Sequence, residues 1–320
     1  MESFEGKLAT VTGGGSGMGR ELVLQLAAEG CSVAACDLNP DTVAEVAKIA
    51  MAGAPPGTLV TAHACDVSEE AQVLGFRDEM LAGHGRDHLD LAFNNAGIGG
   101  GASFVAEPRE VWERTFAVDF FGVYYCTRAF LPLLIKSTEG ILVNTSSVNG
   151  FWASLGPGIP NTAYSTAKFA VKGLTEGLIE DLRVHAPHVR VAVVMPGHIG
   201  TNIIENSLRA HIRAAGDGDP GLRGEALREE LGRMGMPTGD MTAEQAQQVL
   251  RQISDGFRDA APVDAAQAAA IILDGVRRGR WRILVGKDAE ELDAGIRSDP
   301  DAAYDHQGIG LSLPSSRQDD

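Results

Sequence analysis

Tyr164 and Lys168 close the segment Tyr164-Ser165-Thr166-Ala167-Lys168, a spacing of four that sets a phenol and an ammonium on one helical face. A free tyrosine ionises near pH ~10. A nearby ammonium stabilises the phenolate and lowers that value. Bringing it to neutrality takes roughly three units, about 4 kcal/mol of differential stabilisation. Such a phenol takes a proton from an alcohol while hydride leaves the alcohol carbon. The same spacing also occurs on ordinary solvated helix faces, so the pair means little without a hydride acceptor beside it.

A second segment suggests one. Thr12-Gly13-Gly14-Gly15-Ser16-Gly17-Met18-Gly19 lies between a short apolar run, Leu8–Thr12, and a stretch of helical spacing, Gly19–Glu29. Glycines let backbone N–H groups close on an anion, and a helix start adds partial positive charge. Gly13, Ser16, Gly17, Met18 and Gly19 are thus candidate contacts for a pyrophosphate. A phosphate-binding P-loop is excluded: Gly14 and Gly19 have its spacing, but Arg20-Glu21 follows instead of Lys and Ser or Thr. A nucleophile elbow is excluded because Met18 stands where its last glycine belongs. Asp37 ends the second apolar run, 18 residues after Gly19. An acid there accepts hydrogen bonds from the adenosine ribose and repels a 2′-phosphate. Neither Ser16 nor Leu38-Asn39 supplies a cation for that phosphate, so the expected cofactor is NAD rather than NADP.

The elements that position these residues alternate. Short apolar runs at 8–12, 32–36, 59–65, 89–93, 141–145, 189–195 and 281–285 read as strands. Helical patterns at 41–51, 68–81, 162–184 and 262–278 separate them, with Ser68 a candidate N-cap. A long helix from Pro108 to about Lys136 is expected to be interrupted at Gly122 and Pro132. This alternation predicts βαβ units and a parallel sheet covered on both faces.

The motifs together resemble the short-chain dehydrogenase/reductase family, in its shorter single-domain branch. The likeness runs through Thr12-Gly13-x-x-x-Gly17-x-Gly19, Cys65-Asp66-Val67, Asn94-Asn95-Ala96-Gly97, Asn144-Thr145-Ser146-Ser147, Tyr164-x-x-x-Lys168 and Pro196-Gly197…Thr201, in that order, over residues 6 to about 201. It implies an α/β fold, a Rossmann-like doubly wound parallel sheet of about seven strands. It also implies roles: Tyr164 as general acid/base, Lys168 on the nicotinamide ribose, Ser147 on the substrate oxygen, and Asp66 on the adenine amino group with Val67 beside it. Asn95, Ala96 and Gly97 would line the cofactor, and Pro196, Gly197, Ile199 and Thr201 would close over the nicotinamide amide. Asp119 stands where the family usually has an asparagine that completes a proton relay to the lysine; it could favour Lys168 as a cation, alter the pH dependence, or only cap a helix kink. Ser147 and Tyr164 are 17 apart, a few more than usual, and the extra residues include Phe151 and Trp152, candidates for an apolar pocket wall or for core contacts.

The expected activity is NAD-dependent interconversion of a secondary alcohol and a ketone; the alternative is an NAD(H)-binding sensor or scaffold of weak activity with the same fold. Residues 1–286 are expected to form one domain, with 202–261 a substrate lid and 287–320 an acidic surface tail. Ile199, Ile203, Ile204 and Leu208 suggest an apolar wall and a bulky apolar substrate. The long helices at 108–136 and 162–184 pair subunits in the family, so a homotetramer or homodimer is expected.

Composition narrows the remaining classes. Lys and Arg number 27 against 43 Asp and Glu, a net charge of −16, which gives nucleic acid or an anionic membrane no basic face to bind. No uninterrupted apolar run reaches the ~18 residues of a membrane span, and Met1–Lys7 has no apolar signal-peptide core. Cys31, Cys36, Cys65 and Cys126 form no C-x-x-C pair and read as buried thiols of a reducing, cytoplasmic compartment. His84 and His88 are four apart, but Gly83 and Gly85 predict a loop there and no third ligand follows, so no metal site is expected. His198 reads as a pocket-lining residue.

Overall fold

In the computed structural model, residues 1–156, 158–214, 224–233 and 238–305 are described. The central strands at 8–12, 91–94 and 141–145 are buried throughout because both of their faces are covered. In β1 (Leu8–Thr12), Ala9 and Val11 enter one hydrophobic cluster and Leu8 the other; in β2 (Ser32–Asp37), Val33 and Ala35 oppose Ala34 and Cys36. One face is closed by α1 (Gly17–Ala28) and α2 (Pro40–Gly53) through Leu22, Leu26, Val43 and Val46. After β3 (Val60–Ala64), α3 (Glu70–His84) covers the opposite face with Val73, Phe76 and Met80. Fully burying a side chain of this size contributes about 1.5–3 kcal/mol.

Following β4 (Leu91–Asn94), the chain forms α4 (Arg109–Phe116), a π turn at Ala117–Phe121 and α5 (Gly122–Lys136) without a break between them. By length and composition, the helix 109–136 is apolar enough to cross a membrane; 56% of its most apolar window is buried, where it packs on the sheet. Next come β5 (Ile141–Thr145), α6 (Thr162–His185), β6 (Arg190–Pro196) and the short β7 (Ile199–Gly200). Then follow α7 (Ile203–Ala214), α8 (Gly224–Arg233), α9 (Ala243–Asp259), the short β8 (Val263–Asp264), α10 (Ala265–Arg277), β9 (Arg282–Val285) and α11 (Lys287–Ser298). The main sheet has seven parallel strands in the order β3-β2-β1-β4-β5-β6-β9, and β7 pairs separately with β8. The strand order reverses between β1 and β4. The crevice beyond their carboxyl ends is where a parallel sheet of this kind binds ligands.

Several local expectations are corrected. α2 begins at Pro40 rather than Asp41, because the Asn39 side chain accepts the N–H groups of Asp41 and Thr42. Ser68 is not a cap: α3 begins at Glu70, and the Ser68 hydroxyl donates to Asp66. Helix α3 runs through Gly83 to His84, whose ring meets Thr61 Oγ1 at 3.0 Å, so the predicted loop at the histidine pair starts later, at Gly85. Pro132 lies inside α5, and the irregularity falls at the π turn instead. The helix expected from Pro262 starts at Ala265, because Asp264 and Gln267 form a reciprocal capping box.

The predicted lid, 202–261, contains α7, α8 and α9; its residues 215–223 and 234–237 lie outside the described residues. Ile204, Leu208 and Ile212 of α7 pack against Leu227, Leu231 and Leu250 of α8 and α9, so Ile204 and Leu208 belong to the core shared by these helices. Residues 287–305 are not a surface tail. Ala289 and Leu292 of α11 and Ala303 pack against Val148 and Trp152, and the Trp152 Nε1–H donates to Ala303 O at 2.8 Å. Trp152 is therefore core and not a substrate wall, and Phe151 packs against the same cluster. The predicted frayed end, 306–320, lies outside the described residues. All four cysteines are buried and unbridged.

Candidate active site

The glycine turn links β1 to α1. Gly19 must be glycine because a Cβ there would strike the Gly13 carbonyl and come within 2.7 Å of Asn95 Nδ2. Thr12 ties this turn to the end of β4: its Oγ1 accepts the N–H groups of Asn95 and Ala96, each at 3.0 Å. The Asn95 side chain donates to Thr12 O at 3.1 Å. The two strand ends that flank the crevice are thereby locked together.

A cavity of about 620 Å³ runs along that crevice, within the usual range for small-molecule sites. It is lined by the predicted residues Gly13, Ser16, Gly17, Met18, Asp37, Asp66, Val67, Asn95, Ala96, Gly97 and Thr201. Asp37 closes on the turn itself: Oδ2 accepts the Gly15 N–H at 2.9 Å and Oδ1 the Asn39 N–H at 3.0 Å. Burial pushes its carboxyl above the ordinary carboxylate value, and the backbone N–H groups of Asn39, Gly15 and Leu38 partly offset this. A backbone cradle at the glycine turn together with the Asp37 carboxylate fits a dinucleotide.

Beside Gly97 stand the remaining polar groups. A Cβ on Gly97 would lie 3.0 Å from Asp119 Oδ1 and 3.1 Å from Lys168 Nζ, so the backbone passes directly over that pair. Lys168 Nζ donates to Thr145 O at 3.3 Å, sits 3.7 Å from Asp119 Oδ2 and lies 5.3 Å from the centre of the Tyr164 ring. The Ser147 side chain lies close enough to the Tyr164 phenol to favour its ionised form. Ser147 Oγ also accepts the Asn149 N–H at 3.1 Å, starting a single 3₁₀ turn at Val148–Gly150. Ser146 points the other way and donates to Lys168 O at 2.7 Å, bracing β5 against α6.

Burial raises the Tyr164 pKa above its ordinary value; the Lys168 ammonium pulls it down, the Asp119 charge pushes it up and Ser147 favours the phenolate. The expected fall toward neutrality is therefore absent from this arrangement of protein groups alone. Asp119 is wholly buried in the π turn, and burial pushes its carboxyl up to about 6 against the pull of Lys168. Its Oδ1 accepts the Ile98 N–H at 2.8 Å, while Oδ2 has no hydrogen-bond partner.

The loop after β6 is placed differently from the rest. The Ile199 side chain packs in the core with Val194 and Val263. The Asp288 carboxylate lies against Gly197 and accepts the His198 N–H at 2.6 Å. The His198 ring, expected in the pocket, is buried instead, with Nε2 2.7 Å from Phe257 O. Helix α7 bridges the crevice: Asn206 donates to Ser16 Oγ at 3.0 Å, Arg213 to Leu38 O at 3.1 Å, and Ser207 Oγ accepts the Gly99 N–H at 2.7 Å. Sequence reasoning missed Arg114, Asn206, Ser207, Arg213 and Asp288. Only the helical spacing of 203, 206, 210 and 213, which puts these lining residues on one face of α7, could have hinted at any of them.

The model of the short chain dehydrogenase family matches residues 7–211. SadH of Mycobacterium tuberculosis is 34% identical over 92% of this chain and 91% of its own. Among solved structures, a short-chain dehydrogenase/reductase of Burkholderia phymatum in complex with NAD superposes with a TM-score of 0.75 at 26% identity, covering 99% of this chain and 100% of the other. A metagenomic short-chain oxidoreductase in complex with NADP gives a TM-score of 0.54 at 31% identity, over 61% of this chain and 83% of the other. With this fold and these motifs, the chain belongs to the short-chain dehydrogenase/reductase family of oxidoreductases.

Proposed function

We propose that the protein is an NAD-dependent oxidoreductase that interconverts a secondary alcohol and a ketone, with Tyr164 as the general acid/base. The observation that carries this is the convergence of Ser147, Tyr164 and Lys168 beside the cavity at the glycine turn. Gly13, Ser16 and Gly17 hold the pyrophosphate with backbone and hydroxyl donors, and Asp37 holds the adenosine ribose while repelling a 2′-phosphate. Bound nicotinamide supplies the hydride chemistry. Ser147 orients the substrate oxygen. Tyr164 removes the hydroxyl proton during oxidation and returns it during reduction. The Lys168 ammonium, held by Thr145 O and Asp119, stabilises the phenolate. The positive charge of an oxidised nicotinamide lowers the phenol pKa that the protein groups alone leave raised.

Phe121 and Tyr124 on the 109–136 helix are exposed and extend an aromatic ladder through Trp112, Phe116, Phe120 and Tyr125, and Phe169 on α6 is exposed as well. A second copy of the chain would cover them, and this supports a homodimer or homotetramer. The test of the activity is NADH formation over a panel of secondary alcohols with a Tyr164→Phe control. Loss of the phenol proton is expected to lower kcat by about 10²–10⁴-fold with NAD affinity retained. Wild-type turnover matched by the variant would overturn the assignment. NAD binding without any turnover would favour a sensor.

A further inference from the structure

Asp66 stands where the family holds the adenine amino group, yet its carboxylate is already engaged. Oδ1 accepts the Ser68 N–H at 3.0 Å and the Ser68 hydroxyl at 2.7 Å; Oδ2 accepts Nη2 of Arg114 at 2.8 Å. Arg114 Nη1 donates to Ser68 Oγ at 2.6 Å, which closes a ring of three side chains. Burial pushes the Asp66 carboxyl up, but Ser68 and the Arg114 guanidinium outweigh it and hold the group below its ordinary value. The Arg114 and Asp66 side chains are only 17% and 18% exposed, and both line the cavity beside Leu38, Cys65 and Val67.

A guanidinium carries five N–H donors. In Arg114, Nε is buried without a partner, and each terminal nitrogen has one bond to the protein. One hydrogen on each terminal nitrogen remains, next to a carboxylate that still has lone pairs. We propose that Arg114 reads the adenine edge together with Asp66, the arginine donating to a ring nitrogen and the carboxylate accepting the adjacent amino group. Adenine presents that donor–acceptor pattern; hypoxanthine replaces the amino group with a carbonyl and sets an oxygen against the Asp66 carboxylate. This inference rests on the dinucleotide reading above.

The test is equilibrium binding to the purified full chain, without turnover. The probes are NAD, nicotinamide hypoxanthine dinucleotide, and nicotinamide mononucleotide, which has no adenosine. The wild type is expected to prefer NAD over the hypoxanthine analogue by about 5–150-fold, the range of one good two-point base contact. Arg114→Met is expected to weaken NAD about 10-fold, to shrink the preference below about 3-fold, and to leave the mononucleotide unchanged. Arg114→Lys keeps the charge but not the planar fork and is expected to fall between them. It also carries the test if the methionine variant does not fold. A wild-type preference surviving in a folded variant overturns the inference, as does equal weakening of NAD and the mononucleotide, which marks a merely structural role. If the wild type binds neither NAD nor the mononucleotide, the dinucleotide reading itself fails.

Discussion

Asp119→Asn is expected to move the rising limb of the pH profile for alcohol oxidation about one unit toward acid. The substitution keeps the shape and removes one charge. An asparagine oxygen can still accept the Ile98 N–H, now 2.8 Å from Oδ1. The Lys168 ammonium is 3.7 Å from Oδ2 and 5.3 Å from the centre of the Tyr164 ring, so these separations laid end to end place the carboxylate within about 9 Å of that ring centre. At an effective dielectric constant of about 20, a unit charge at that distance contributes roughly 1.8 kcal/mol, a little over one pKa unit. The sign is set by the charge: Asp119 disfavours the phenolate, so its removal lowers the Tyr164 pKa. With its own pKa near 6, Asp119 is ionised wherever the tyrosine titrates. The assay is kcat/KM for oxidation of a secondary alcohol between about pH 5 and 11, which reports ionisations of the free enzyme. An unmoved limb refutes the reasoning. A limb displaced toward alkali shows that Asp119 acts by fixing Lys168 rather than through its own field.

The same substitution changes stability with pH. A carboxyl whose folded pKa lies above its unfolded value contributes fully below about pH 4, and that contribution is lost as pH rises through about 6. Relative to wild type, Asp119→Asn is therefore expected to gain up to about 3 kcal/mol between pH 4 and pH 7, read from urea unfolding at each pH. Gly19→Ala is expected to abolish NAD binding by forcing the new methyl into Gly13 O, and a titration matching wild type would exclude that geometry. Asp288→Ala leaves the buried His198 N–H without an acceptor and is expected to cost about 1–3 kcal/mol. Asp288→Asn, which keeps an acceptor, is expected to restore most of that loss in the same unfolding assay.

The parallel sheet and the cavity lining were readable because each follows from local chemistry. Apolar runs such as 8–12 and 141–145 have no other stable place than a strand covered on both faces. A glycine turn followed by Asp37 admits few ligands. Tyr164 and Lys168 meet because four residues make about one helical turn. The remainder depended on contacts between distant segments. Nothing in Asp288 or its neighbours announces that it will cap a loop 90 residues earlier. Trp152 looked free to line a pocket because its partner, Ala303, lies in a segment whose acidity suggested an exposed tail. Ser68 had the residue type of a helix cap, but a competing bond to Asp66 took its hydroxyl. Ile204 and Leu208 have the pattern of a pocket wall and of a helix core alike, and packing against α8 and α9 decided for the core, whereas Ile203 does line the cavity.

The π turn shows how a small departure from helical period sets the electrostatics of the site. One added residue per turn shifts the following side chains by roughly 100° relative to an α-helix. At Ala117–Phe121, Asp119 is turned fully inward to the Ile98 N–H and the Lys168 ammonium, while Phe121 stays exposed on the opposite side. The glycine at 97 is the complementary condition, since any larger residue would crowd both charged groups. A buried carboxylate 3.7 Å from a buried ammonium gains little net stability after desolvation, so stability alone does not account for this pair. What the arrangement does supply is a fixed negative charge that opposes phenolate formation and an ammonium that favours it. Because the same helical segment presents Phe116, Phe120 and Phe121 to the aromatic ladder, any partner that packs on that ladder also bears on the turn that holds Asp119. In this chain, a charge that opposes Tyr164 ionisation and part of the exposed aromatic face therefore lie on the two sides of one helical turn.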